Sequence, residues 1–463
     1  MGANPFICGV VEGFYGRPWS AAQRGQLFAW MQSWGMNTYL YAPKDDLKHR
    51  LLWRELYAES DAAELKTLIR HCRGKGLNFV CAVAPGLDLS YSSRKDMARL
   101  RRKASQLLRL GCTHFAITFD DIQPVLSKED SRMFNSLADA QSVVANDFLK
   151  HLRDQAPDAT LLFCPTHYCE RMSGPVRHSD YLKRLGKLLD SSIGIFWTGP
   201  EIVSETIPAE SIRELQRVLR RKPLLWDNLH ANDYDLRRIY LGPYAGRPLE
   251  LRNEVAGILS NPNCEFEANY IPLRTLAMFA QAKGHWNAQQ AYHTALRHWL
   301  LQWKAHHGRR ISPGELEFLC DCFHLPFQHG RCAETFIEDF RFLLRMPPRK
   351  WGVIGRRFEK KCSDILDLFE KIAALRNREL LYALYRHVWE LKEEAVLLRK
   401  YLHWLKARPG PEQTFASPDH RQKIYRGGLV ADLQRFLPMD ENGRFRARTP
   451  AAVRHKPDGP RAL

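Results

Sequence analysis

Short continuous apolar runs recur along the first part of the chain. They read FICGVV (6–11), NTYLYA (37–42), NFVCAV (78–83), HFAITF (114–119), TLLFCP (160–165), IGIFW (193–197), PLLW (223–226) and VAGIL (255–259). Each is about one strand long and none alternates apolar with polar, which predicts strands buried on both faces. Between the runs, apolar residues return at helical spacing. QLFAWMQSWG (26–35) stops at Gly35. SDAAELKTLIRHCRGKG (60–76) starts on Ser60 as an N-cap and stops at Gly76, and DMARLRRKASQLLRLG (96–111) stops at Gly111. Eight strands alternating with helices predict a (β/α)8 TIM-type barrel over residues 1–300. A doubly wound open sheet is the rival, but neither a dinucleotide fingerprint nor a P-loop follows any of the runs.

After residue 300 the strand-like runs cease. IGRRFEKKCSDILDLFEKIAAL (354–375) and RELLYALYRHVWELKEEAVLLRKYLHWLKA (378–407) are long amphipathic helical patterns, with shorter ones near 314–324 and 333–345. They predict a C-terminal α-helical bundle domain over 301–440. Pro409-Gly410-Pro411 breaks the longest helix, and 441–463, rich in Arg, Pro and Gly, is expected to be a mobile basic tail.

Composition adds a charge asymmetry. The chain of 463 residues has a formal net charge of +18. Residues 301–463 hold 31 Lys and Arg against 20 Asp and Glu, so the surplus is concentrated in the helical part. A basic surface attracts nucleic acid, acidic protein or anionic sugar, and no nucleic-acid-binding motif is present. The 11 cysteines form no CxxC pair, and several, including Cys8, Cys81 and Cys164, sit in apolar runs as reduced buried thiols do. With no signal peptide and no 18-residue apolar run, the expected setting is a reducing cytosol, away from membranes.

In such a barrel, chemistry collects where the strands end. The strand ends read EGFYG (12–16), APKDD (42–46), FDDI (119–122), PTHY (165–168), WTGP (197–200), WDNLHANDYD (226–235) and SNPNCEFEAN (260–269). Carboxylates and amides hydrogen-bond hydroxyls, and aromatic faces cover the C–H surface of a ring, so this rim suits a sugar. A metal-dependent hydrolase is the serious rival, because paired aspartates can hold Mg²⁺. A noncatalytic binding barrel is the third reading.

Asp120 and Asp121 pose a geometric problem for a glycosidase. Retaining enzymes place acid and nucleophile about 5–5.5 Å apart across the scissile bond, and neighbours at one strand end cannot easily flank a sugar. A pair on one side makes sense if a 2-acetamido group of the substrate attacks its own anomeric carbon. One aspartate then holds the amide N–H, and the other protonates the leaving oxygen and later activates water.

At these residues the chain resembles the protein O-GlcNAcase family, glycoside hydrolase family 84. The resemblance lies in GVVEGFYGRPW (9–19), NTYLYAPKDDLKHR (37–50), FAITFDDI (115–122), FCPTHYC (163–169), FWTGP (196–200), WDNLHANDYD (226–235), LGPYAGR (241–247) and NPNCEFEAN (261–269). It implies a retaining β-N-acetylglucosaminidase acting through an oxazoline, with neither metal nor organic cofactor. Its substrates would be proteins or peptides bearing O-linked N-acetylglucosamine, with GlcNAc-terminated glycans or cell-wall fragments as the alternative. By the same resemblance Asp120 polarises the acetamido N–H, Asp121 is the general acid and base, and Tyr168 bonds the acetamido oxygen. Asn228 holds the acetamido pocket with Trp226 beside it, and Asp233 grips the outer hydroxyls. Gly13, Lys44 and Asn261 make further hydroxyl contacts, and Thr198 and Cys164 line the pocket. The alternative for Lys44 is a local pair with Asp45 or Asp46. In relatives the helical region contributes in some cases to a homodimer and to a groove for the protein substrate. Its basic charge here would favour acidic or phosphorylated peptides.

Overall fold

Eight parallel strands close into one barrel: β1 (Ile7–Glu12), β2 (Thr38–Tyr41), β3 (Asn78–Val83), β4 (His114–Thr118), β5 (Thr160–Cys164), β6 (Gly194–Trp197), β7 (Leu224–Asp227) and β8 (Gly257–Ser260). The structure is a computed structural model describing residues 6–407, 409–410, 413–417, 427–437, 440, 442 and 444–447. Strands adjacent in sequence are adjacent in space, and β8 closes onto β1 with Ile7 opposite Gly257. Parallel neighbours need long crossovers, and helices such as Ala21–Ser33, Arg94–Arg109 and Leu137–Gln155 supply them.

The continuous apolar runs follow from burial on both faces. Val11, Leu40, Ala42, Val80, Ala82, Ala116, Phe196, Leu224 and Leu259 pack together as one cluster inside the barrel. Residues one position away point the other way and meet the helices. Tyr39 packs edge-on against Phe28 at 5.0 Å, and Phe115 against Phe148 at 6.1 Å.

The helix ends show what local sequence can and cannot specify. Ser93 caps Arg94–Arg109 by accepting from the Asp96 N–H at 3.2 Å, and Gly111 beyond it takes a positive φ of 98°. The helix Glu59–Gly74 departs from expectation. Its N-cap is Ala58, without a side-chain bond, and Ser60 lies inside the first turn. Glu59 and Asp61 supply negative charge at that end, which the exposed N–H groups favour.

The chain divides into two compact units, residues 1–234 with 243–295, and 235–242 with 296–463. The segment 235–242 belongs to the second unit through hydrogen bonds from the Leu241 N–H to Phe323 O at 2.6 Å and from the Gly242 N–H to His324 O at 2.7 Å. In that unit Pro313–Cys322, Arg331–Arg345, Gly352–Ala373 and Arg378–Lys406 are helical. Phe336 stacks on Phe358 at 4.6 Å, and Phe340, Leu398 and Tyr401 share the same core. Of the tail expected from residue 441, Phe445–Arg446 (β10) pairs antiparallel with Thr414–Phe415 (β9), and residues 448–463 lie outside the described residues. No described helix is long and apolar enough to cross a membrane.

Candidate active site

Parallel strands put all their C-terminal ends on one rim, and the two aspartates leave β4 there. Asp120 is buried and Asp121 exposed. The turn between them explains the split. Asp121 has a φ of +53°, a left-handed conformation that aspartate tolerates better than most residues and that costs on the order of 1–3 kcal/mol. It sends two consecutive carboxylates into different surroundings.

Asp120 faces cations. Lys44, buried at the end of β2, places Nζ 2.5 Å from Asp120 Oδ2. Arg50 lies 3.9 Å from the same oxygen and donates to the carbonyls of Asp120 and Asp121 at 3.4 and 3.2 Å. Burial alone pushes the Asp120 carboxyl up, but Lys44 and Arg50 outweigh it and hold the group well below the usual carboxylate range. Its second oxygen, Oδ1, is buried without a hydrogen bond among the described residues. Lys44 therefore pairs with Asp120, and not with its sequence neighbours. Asp46 is occupied by the hydroxyls of Tyr41 and Tyr57 at 3.0 and 2.8 Å.

Asp121 is held by two phenols. Tyr168 Oη–H donates to its Oδ1 at 2.8 Å and Tyr15 Oη–H to its Oδ2 at 2.9 Å. Burial and the Asp121 charge push both tyrosine pKa values up, so both hydroxyls stay donors. The Tyr15 N–H donates to Asp233 Oδ2 at 2.9 Å. Burial raises the Asp233 pKa, and that N–H offsets the rise only in part.

The other expected residues gather on the same rim. Trp226, in β7, packs edge-on to Phe196 at 5.3 Å, with Lys44 Nζ 5.9 Å from its ring centre. Gly13 lies against it, since a Cβ there would fall 2.3 Å from Trp226 Cζ2. Asn261 Nδ2 donates to Asn228 Oδ1 at 3.0 Å, Asn228 Nδ2 donates to Ile202 O at 2.8 Å, and Asn261 Oδ1 has no hydrogen-bond partner among the described residues. Thr198 spends its hydroxyl on Glu201 O at 2.8 Å. Cys164 is buried, and burial followed by the Asp120 charge raises its thiol pKa well above the ordinary value.

Tyr15, Arg50 and the Asp227–Arg247 pair also shape the site, beyond the residues expected from sequence. All lie inside the quoted motifs. Arg247 grips buried Asp227 with two N–H bonds at 2.9 and 2.7 Å while Tyr244 Oη–H adds a third at 2.8 Å. The same guanidinium donates to Glu205 O and Ser204 O, both at 2.9 Å, tying the end of β7 to the loop after β6.

The arrangement suits proton transfer better than metal binding. A divalent cation at Asp120 would lie against an ammonium and a guanidinium that already neutralise the carboxylate. Residues 8–308 match the family model described as beta-N-acetylglucosaminidase. The chain belongs to the β-N-acetylglucosaminidase family. As a member it is a glycoside hydrolase. It is 29% identical to Protein O-GlcNAcase of Rattus norvegicus and of Mus musculus, over 95% of this chain and 70% of each relative. Among solved structures, it superposes on an aspartate-to-asparagine mutant of the Thermobaculum terrenum O-GlcNAc hydrolase with a TM-score of 0.73 at 28% identity, covering 86% of this chain and 82% of that one. For CpGH84B the TM-score is 0.75 at 25% identity, covering 87% and 69%.

Proposed function

We propose that this β-N-acetylglucosaminidase removes O-linked N-acetylglucosamine from serine and threonine of proteins, with retention, by substrate assistance. The observation that carries the mechanism is the split environment of the pair: Asp120 clamped ionised with Oδ1 unspent, Asp121 exposed and held by Tyr15 and Tyr168. The names of the relatives support the protein substrate.

The acetamido carbonyl oxygen attacks the anomeric carbon while the bond to the leaving oxygen breaks, and Asp121 gives that oxygen its proton. Positive charge develops on the acetamido group, and Asp120 Oδ1 accepts the N–H and stabilises it. Tyr168 exchanges its bond to Asp121 for one to the acetamido oxygen and holds it in line. Asp121, now ionised, takes a proton from water as the water adds to the anomeric carbon, the oxazoline opens, and the acid is restored. Asn228 and Trp226 enclose the acetamido group, and Thr198 and Cys164 complete that wall. Asp233, Asn261, Lys44 and the Gly13 backbone hold the remaining hydroxyls. Eleven free cysteines, most of them buried, support a reducing compartment such as the cytoplasm.

The decisive test is a series of aryl β-N-acetylglucosaminides carrying zero to three fluorines on the acetyl methyl. Fluorine weakens the carbonyl oxygen as a nucleophile, so kcat/KM falls steeply along the series. A flat series would mean that a carboxylate or water attacks instead.

Gly13→Ala tests the wall. The added methyl displaces the Trp226 indole, and such overpacking costs about 1–3 kcal/mol. Aryl glycoside kcat/KM falls by about tenfold for each 1.4 kcal/mol that reaches the transition state. Unchanged kcat/KM would remove Trp226 from the pocket.

A further inference from the structure

The helical unit contains a feature that hydrolysis does not use. A cavity of ≈ 1210 Å³ opens between the helices Gly352–Ala373 and Arg378–Lys406 and β9. Its walls carry basic side chains in two rows. Arg356 and Lys360 lie four apart on one helix, and Arg399, His403 and Lys406 lie at four- and three-residue steps on the other. Those spacings put each row on one helix face, so the longer row runs about 10 Å at 1.5 Å per residue. Arg356 and Lys360 stand at a spacing where like charges repel along a helix face.

The positive charge is only partly neutralised. Lys360 pairs with Asp364 at 2.9 Å and Lys406 with Glu359. Arg356, Arg399 and His403 are exposed and have no ion-pair partner among the described residues. Below the cations the lining turns apolar, with Leu366, Val396, Trp404 and Phe415. The Trp404 and Phe415 rings pack on each other at 5.8 Å and on Tyr401 at 5.7 and 6.0 Å. Bases of single-stranded nucleic acid need open ring faces on which to stack, and these rings are engaged with one another.

We propose that this groove binds an acidic segment of a partner protein, an extended run of aspartate, glutamate or phosphoserine. At about 3.3 Å per residue, three or so residues span the longer row. Arg356 and Arg399 supply planar forks for carboxylate or phosphate, and the apolar floor takes side chains that face inward.

Fluorescence anisotropy on the full chain tests this with a labelled peptide carrying three consecutive phosphoserines, its unphosphorylated twin, and an oligouridylate of equal charge. The phosphopeptide binds, and the twin binds at least tenfold more weakly. Arg356→Glu with Arg399→Glu weakens phosphopeptide binding at least tenfold while aryl glycoside turnover stays at the wild-type level. If that double variant misfolds, Arg356→Ala with His403→Ala serves, with a loss of about threefold or more. Undiminished binding in the folded variant, preference for the oligouridylate, or full competition by inorganic phosphate at equal concentration overturns the proposal. None of these outcomes bears on the fluorinated-substrate series, so the two readings fail separately.

Discussion

Asp121→Ala leaves an aryl glycoside with an acidic phenol leaving group within a few-fold of wild type in the glycosylation step and slows a serine-linked glycoside by about 10²–10⁴-fold. A phenolate departs without a proton, whereas a serine alkoxide does not, so the cost of removing the acid scales with leaving-group basicity. The geometry makes Asp121 the one to test. It is the exposed member of the pair, and the hydrogen bonds from Tyr15 and Tyr168 fix both of its oxygens. In the proposed mechanism the residue also returns as a base, so breakdown of the oxazoline slows in the variant. Azide, a nucleophile that needs no deprotonation, then restores turnover and yields the β-glycosyl azide. Measuring kcat/KM against phenol pKa gives the decisive slope. An equal loss for every leaving group would assign the acid to another residue.

What was legible in the sequence follows from the kind of force involved. The eight strands fall within a residue or two of the apolar runs, because a strand buried on both faces must be apolar at nearly every position. The rim was legible because polar residues at the ends of such strands face an open barrel mouth. The start of the helix Glu59–Gly74 is not legible, because Ser60 looks like a cap while the acidic first turn is a weaker and more diffuse signal. Tyr15, Arg50 and Arg247 act on aspartates 106, 71 and 20 residues away, and no local pattern marks such partners. The choice of Lys44 for Asp120 over Asp45 and Asp46 likewise depends on β2 and β4 converging at one rim. The passage of 235–242 into the helical unit rests on backbone bonds to Phe323 and His324 and on side-chain bonds from Arg238 to Pro326 O and from Arg386 to Leu236 O, partners far away in sequence that no local pattern marks.

Asp120→Ala slows every aryl glycoside alike, by about 10²–10³-fold, the cost typical of losing one preorganised charge-stabilising partner. The uniform loss separates it from Asp121→Ala, since the proposed oxazoline formation needs the amide polarised whatever group departs. Lys44→Met tests the same assignment through pH. Asp120 is ionised because Lys44 and Arg50 overcome the effect of burial, so in the wild type its carboxylate persists as pH falls through the ordinary aspartate range. Without the ammonium, burial counts for more and the pKa rises, so the acid limb of kcat/KM moves to higher pH. The stability follows the same sign. A carboxyl depressed in the fold stabilises it above the unfolded pKa of about 3.9, and that contribution is lost as pH falls through the folded value. Lys44→Met therefore lowers unfolding free energy at pH 7, by up to about 3–5 kcal/mol for a broken buried pair, with Arg50 retaining part of it. The activity and stability losses need not coincide, and their comparison is informative. If Lys44→Met lost activity at pH 7 while its acid limb stayed in place, the lysine would act on the sugar hydroxyls alone, and the ionisation of Asp120 would rest on Arg50.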